Sequence, residues 1–157
     1  MSDRIRWVFL AYRLPREPST PRITLWRKLR RLGAVQVVDN LVALPMDART
    51  REQLEWLADE VVEAGGEASI WLAETGSAAQ ERALAARMAE AVAEEYRAVI
   101  AAAEEAAEEP DGQRRRTLAR LRRDLRRIRA RDYFPPAEAD RAHEAVEALA
   151  TSLEPIG

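Results

Sequence analysis

The sequence predicts an α+β fold: a four-stranded antiparallel sheet in βαββαβ order, followed by a helical hairpin and a short final helix. Three observations carry that prediction. Short, mostly apolar runs at 5–12, 35–38, 41–44 and 68–73 have the length of strands. Two segments between them space their apolar residues as a helix does and carry start and stop signals. Past residue 77 the chain becomes Ala/Glu-rich and then Arg-rich, with no further strand-like run.

Each element has its own warrant. Ile5–Tyr12 (IRWVFLAY) is almost wholly apolar, which suits a central strand buried on both faces. Leu14-Pro15-Arg16-Glu17-Pro18 is a rigid connecting loop. Thr20 before Pro21 reads as an N-cap with proline in the first helical position. Leu25, Trp26, Leu29 and Leu32 then follow at helical spacing, and Gly33 ends the helix. The strands Val35–Val38 and Leu41–Leu44 meet at Asp39-Asn40, two residues that tolerate the positive φ of a tight hairpin. Thr50-Arg51-Glu52-Gln53 matches a capping box, Leu54, Leu57, Ala58 and Val61 form the stripe behind it, and Gly65-Gly66 terminates it. Ala68–Ala73 is the last strand. Two βαβ units sharing one small sheet, with both helices on one face, make the ferredoxin-like arrangement.

The tail is helical. Ser77-x-x-Gln80 is a second capping box, opening an acidic helix to about Glu109, where Pro110-Asp111-Gly112 breaks it. A basic helix follows from Gln113 to about Arg131. Its Leu118, Leu121, Leu125 and Ile128 form a seam that wants a partner, and the short turn makes the acidic helix that partner, through Met88, Val92, Val99 and Ala103. Ala137–Leu149 is a final short helix. The expected domains are 1–76, ferredoxin-like, and 77–157, helical and packed on it. Trp7, Trp26, Trp56 and Trp71 all fall on strands or apolar helix faces and are expected in the core.

Composition removes several chemistries. The 157 residues are 47% apolar and 33% charged, an ordinary balance for a globular chain. There is no cysteine, so disulfides, thiolate catalysis and cysteine-ligated metals are out. His143 is the only histidine and reads as solvated. Met1–Arg6 lead straight into the first strand without a secretory signal, and no apolar run reaches membrane-spanning length, so the expected location is the cytoplasm. Nothing resembles a nucleotide-binding glycine loop, and neither a cofactor, a metal nor a catalytic residue is expected.

The net charge of −2 conceals segregation: +7 over residues 1–33, −13 over 34–112, +9 over 113–131 and −5 beyond. Lys28 is the lone lysine; the other basic residues are arginines, which suit bidentate contacts to phosphate. A coding bias would leave the same Arg- and Ala-rich chain. The first helix carries Arg22, Arg27, Lys28, Arg30 and Arg31 on its polar face, a candidate phosphate or nucleic-acid surface. The alternative is a solvated face balanced by the acidic helix 51–64. Arg13 and Arg16 sit where a strand feeds a helix N-terminus, a place able to hold an oxyanion; pairing with acidic neighbours is the competing reading. Arg114, Arg115 and Arg116 open the basic helix against its dipole and need either phosphate or acids. Glu104, Glu105, Glu108 and Glu109 lie across the turn as the simplest partners. Glu94-Glu95 beside Tyr96 read as structural or Arg-pairing.

The opening also carries a family signature. Tyr12-Arg13-Leu14-Pro15-Arg16-Glu17-Pro18-Ser19, then Arg22, then Trp26-Arg27-Lys28-Leu29-Arg30-Arg31-Leu32-Gly33-Ala34-Val35-Gln36 resembles ChrB N-terminal domains. The similarity continues through Leu44-Pro45, Glu55-Trp56-Leu57 and Gly65-Gly66-Glu67-Ala68, and on to Arg127–Phe134. More distantly the pattern resembles the central domain of PaaX-type repressors and small ferredoxin-like CRISPR-associated subunits. Full ChrB regulators continue into a separate C-terminal domain beyond the length of this chain.

The resemblance implies regulation of chromate resistance, with duplex DNA as partner, an oxyanion as ligand and a homodimer as the working form. Two other function classes compete with it. One is a dimeric interaction module without nucleic-acid binding. The other is a divergent metal-dependent nuclease, disfavoured because Arg13 stands where the CRISPR-associated relatives carry an acidic residue.

Overall fold

A computed structural model describes residues 4–154. Residues 1–3 and 155–157 lie outside, including the start of the stretch read for a leader. The elements are β1 (Trp7–Arg13), α1 (Thr20–Leu32), β2 (Val35–Val38), β3 (Leu41–Pro45), α2 (Ala48–Glu63), β4 (Glu67–Ala73), α3 (Ala78–Ala106), α4 (Asp111–Ala130) and α5 (Glu138–Thr151). The chain divides into two compact units, Met1–Arg87 and Met88–Gly157, so that α3 contributes to both.

In the first unit the strands lie in the order β2-β3-β1-β4, all antiparallel, which is the ferredoxin-like topology the sequence predicts. β1 takes the centre because it is apolar on both faces: Trp7, Val8 and Leu10 are all fully buried. The register sets Leu10 between Val42 and Ile70 on one face and Phe9 between Ala43 and Trp71 on the other. Leu25 and Leu29 of α1 and Leu54, Leu57 and Val61 of α2 add their stripes to the core. Asn40 adopts the positive φ of 65° that the hairpin requires.

Three of the four tryptophans depart from expectation. Only Trp7 is buried; Trp26, Trp56 and Trp71 are 44%, 62% and 60% exposed. β4 is an edge strand, and Trp71 shares its open parity with exposed Glu67 and Ser69. Trp26 sits one position off the Leu25–Leu29 stripe, and Trp56 lies between the buried Leu54 and Leu57. An aromatic at roughly helical spacing need not fall on the buried arc.

The helix starts differ too. Thr20 is the first helical residue of α1, not its cap; Ser19 holds the cap position without a side-chain bond, and Pro21 stands second. The capping box of α2 is made one turn earlier than expected, by Asp47 and Thr50. Asp47 Oδ1 accepts from Thr50 N at 2.7 Å, and Thr50 Oγ1 accepts from Asp47 N at 2.9 Å. Thr50 is fully buried and its hydroxyl also donates to Pro45 O at 2.7 Å, a tertiary bond that selects it over the Thr50–Gln53 alternative.

Gly66 is a point of close approach between α2 and β1. A Cβ there would stand 2.2 Å from Arg13 O and 2.9 Å from Val61 Cγ1, and the backbone oxygen cannot swing away. Gly66→Ala is expected to destabilise the fold by at least the roughly 1–3 kcal/mol of ordinary overpacking, read from chemical denaturation. A wild-type midpoint would contradict this packing.

The second unit is a helical cluster. Leu121, Leu125 and Ile128 of α4 bury together with Val92, Tyr96, Val99, Ala103 and Ala106 of α3, and Leu118 is partly buried against them. The seam predicted from the sequence is therefore filled as expected. Ala142, Val146 and Leu149 of α5 join the same cluster, and Met88 is buried outside it. Pro110 is the N-cap of α4, so Asp111 and Gly112 belong to its first turn rather than to a break. α3 stops at Ala106, three residues short of Glu109.

Tyr96 is the largest polar side chain in this cluster. It is buried, and its hydroxyl donates to Asp132 Oδ2 at 2.7 Å. Burial first, then the bond to Asp132 and that carboxylate's charge, push the phenol well above its usual value. Below pH ~10 the folded and unfolded chains both keep the proton and the contribution is complete; above it only the unfolded tyrosine ionises. Stability should therefore fall as pH rises past about 10, and less steeply in Tyr96→Phe. Near neutrality that variant should lose about 1–3 kcal/mol, because Asp132 loses its donor. A pH profile of unfolding identical in both proteins would contradict the assignment.

Candidate functional site

Two groups of arginines stand out, one in each unit. In the first unit Arg13 ends β1 and pairs with Glu67 of β4, its register partner, at 2.8 Å. Both side chains are about three-quarters exposed (74% and 77%), so the pair is weak. Of the basic residues on α1, Lys28 is tied to Glu60 of α2 at 2.7 Å, and Arg22 folds back to donate to Arg16 O at 3.0 Å. Arg16, Arg27, Arg30 and Arg31 are exposed and meet no carboxylate among the described residues.

α1, the loop before it and the β2–β3 turn enclose a basin of about 720 Å³. Tyr12, Arg16, Arg22, Ile23, Trp26 and Asp39 are among its lining. The floor is held by Tyr12 N donating to Asn40 O at 3.0 Å, which joins β1 to the hairpin turn. Burial, and to a lesser extent Asp39, raises the pKa of the Tyr12 hydroxyl against an opposing pull from Arg22. The phenol therefore stays protonated at neutral pH and can donate.

In the second unit the basic residues of α4 sort into two kinds. Arg114 is partly buried, pairs with Asp111 and donates to Ser152 Oγ at 3.2 Å, so it is a structural group. Arg127 lies 3.7 Å from Asp124, Arg131 pairs with Glu95, and Arg129 lies 3.2 Å from Nδ1 of exposed His143. Arg115, Arg116, Arg120, Arg122, Arg123 and Arg126 are exposed, and none of these six has a carboxylate partner among the described residues. The acidic residues across the turn do not supply one: Glu109 accepts from Thr117 Oγ1 at 3.2 Å, and no ion pair joins Glu104, Glu105 or Glu108 to Arg115 or Arg116.

Helical spacing gathers these six into two adjacent rows, 115–122–126 and 116–120–123, outside the buried Leu121–Leu125–Ile128 seam, with Arg120 at its flank beside Leu121 and Glu95. From residue 115 to 126 the rows run roughly 16 Å along the axis. Sequence reasoning singles out Arg115 and Arg116, ranks Arg122 and Arg126 below Arg27 and Arg31 of α1 as phosphate contacts, and passes over Arg120 and Arg123. The signal that would have found them is the seam itself, since fixing the buried arc also fixes which arginines face outward.

Among the described residues no three His, Asp or Glu side chains converge as a metal site, and no helix is long and apolar enough to cross a membrane. The family model described as "Protein ChrB, N-terminal" matches residues 22–156. Over 166 aligned residues the chain is 28% identical to the "Protein ChrB" of Cupriavidus metallidurans, covering 99% of this chain and 51% of that protein. The chain thus spans about half the length of this curated relative. No solved structure matches.

Proposed function

We propose, for a chain that belongs to the ChrB N-terminal family of chromate-resistance proteins, that it binds duplex DNA through the outer face of α4 and serves transcriptional regulation in the cytoplasm. The observation that carries this reading is the pair of rows of six exposed arginines that meet no carboxylate among the described residues. Like charges at helical spacing repel one another, so such a surface is favourable only when anions meet it. Guanidinium groups grip phosphate bidentately and gain affinity by releasing counterions. Arg27, Arg30 and Arg31 of α1 are a second, smaller phosphate surface in the other unit. An oxyanion ligand, if chromate resistance works through one, is assigned by this reading to Arg13 and Arg16 of the first unit. The role is binding rather than catalysis.

The test is fluorescence anisotropy of a labelled duplex titrated with the protein at low salt. Wild type should bind, and Arg122→Glu with Arg126→Glu should not, while both proteins melt alike. Equal binding by the two proteins would refute the reading.

A second reading, self-association without DNA, is favoured by Trp56, Val62 and Trp71, which stand 62%, 57% and 60% exposed on α2 and the edge strand β4. Sedimentation of wild type beside Trp71→Ser decides it: a dimer that the substitution dissociates supports a dimer built on β4.

A further inference from the structure

The geometry points to a nucleoside phosphate as the ligand of the basin between α1 and the β2–β3 turn, with its base on Trp26 and its phosphate on Arg16 and Arg22. This stands apart from DNA contact by α4 and uses none of its residues; it shares Arg16 with the oxyanion assignment and replaces a bare oxyanion there by the phosphate of a larger ligand.

The basin of about 720 Å³ continues into a second depression of about 330 Å³, and the two share Tyr12, Arg16, Arg22 and Asn40. The larger one alone offers more room than a bare oxyanion needs. The two ends also differ in chemistry. The smaller depression is lined by Tyr12, Arg13, Leu14, Arg16, Arg22 and Asn40, a set rich in donors. Arg13 is partly committed to Glu67, which leaves Arg16 and Arg22 as the principal anion contacts. Arg22 already closes on the Arg16 carbonyl at 3.0 Å, so the loop and the first turn of α1 are fixed to each other before any ligand arrives.

At the outer end Ile23 and Trp26 stand on successive turns of α1, 53% and 44% exposed. An indole left half in water beside an open cavity is a platform for a flat ring, and stacking on it is favourable for any base. Across from it are Gln36 and Asp39 of the hairpin, bonded to each other at 3.3 Å. A carboxylate accepts and does not donate, so it favours a base that offers N–H groups. Guanine offers two adjacent ones. An anion-binding end, a stacking wall and an acceptor at the base end describe a nucleotide site built without a glycine-rich loop.

The experiment is calorimetric titration of the whole chain with GMP, alongside guanosine and inorganic phosphate. GMP is expected to bind at least about tenfold more tightly than either part, and to quench the Trp26 share of the fluorescence. Trp26→Ala should weaken GMP about tenfold or more, the order of one base–aromatic stack. Arg16→Ala should weaken GMP while leaving guanosine unchanged. A 5′-phosphorylated trinucleotide beginning with G distinguishes the sources: tighter binding than GMP makes the ligand the end of a strand, and equal or weaker binding makes it a free nucleotide. Both replaced side chains are exposed, and unchanged thermal melting confirms that the variants fold. Inorganic phosphate binding as tightly as GMP, Trp26→Ala binding like wild type, or no uptake of GMP at millimolar concentration would each overturn the proposal. DNA binding by α4 would survive any of these outcomes.

Discussion

Replacing Leu121 or Leu125 of α4 with Ala is expected to destabilise the second unit by about 2–5 kcal/mol, measured by urea denaturation. Both side chains are buried, at 1% and 5% exposure, inside a cluster built from three helices. α3 presents Ala103 and Ala106 there, which carry no side chain able to swing into the space, and α5 presents Ala142. The expected loss is therefore nearer the upper than the lower end of that range. Leu118, only partly buried, should lose clearly less. Losses under about 0.5 kcal/mol at Leu121 and Leu125 would mark ordinary surface positions and would remove the seam.

Replacing Arg115, Arg122 and Arg126 together with Ala is expected to weaken duplex binding by about a thousandfold at ~0.05 M salt, on the order of tenfold for each phosphate no longer neutralised. All three lie in one row on the side of α4 away from the seam, so the core is untouched. Because no acidic group is left unpaired, the variant should melt at or above the wild-type temperature, since like charges four residues apart repel. The matching pair on α1, Arg27→Ala with Arg31→Ala, should cost less, since that helix has fewer unpaired arginines and binds Lys28 to Glu60. A larger loss from α1 than from α4 would move the interface to the first unit.

The sheet was legible in the sequence because its strands differ in kind. A strand apolar on both faces belongs in the centre, and β1 is there. The α4 seam was equally legible, because Leu and Ile at alternating spacings of three and four on an otherwise charged helix leave one possible buried arc. What failed did so at a finer angle. Trp26 and Trp56 lie about one position from buried residues, and a tryptophan reads as core wherever it falls near a stripe. Thr50 can begin a capping box or close one, and only its bond to Pro45 O, a contact outside the helix, chooses between them.

The candidate sites were legible in composition and not in pairing. The +9 segment and the acidic helix before it are adjacent in sequence, and mutual neutralisation was the simplest expectation for Arg115 and Arg116. In the folded hairpin the apolar arcs of α3 and α4 face each other; Arg131 meets Glu95 at one end, but no ion pair joins Arg115 or Arg116 to Glu104, Glu105 or Glu108. The same step could not show that the loop arginines, the hairpin turn and Trp26 border a single basin, since those residues meet only through β1 and the Tyr12–Asn40 bond. The weight of the phosphate reading accordingly moves from α1, which the sequence favoured over Arg122 and Arg126, to the outer face of α4.

The salt dependence of duplex binding is the most direct test of that face. Log affinity against log salt should be linear for the wild-type protein, with a slope of about −0.9 per phosphate engaged. Removing Arg115, Arg122 and Arg126 should make the slope shallower by about 2.7, whatever the duplex sequence. A wild-type affinity that does not change with salt, or a triple variant whose slope equals that of wild type, would show that the arginines of α4 do not contact DNA.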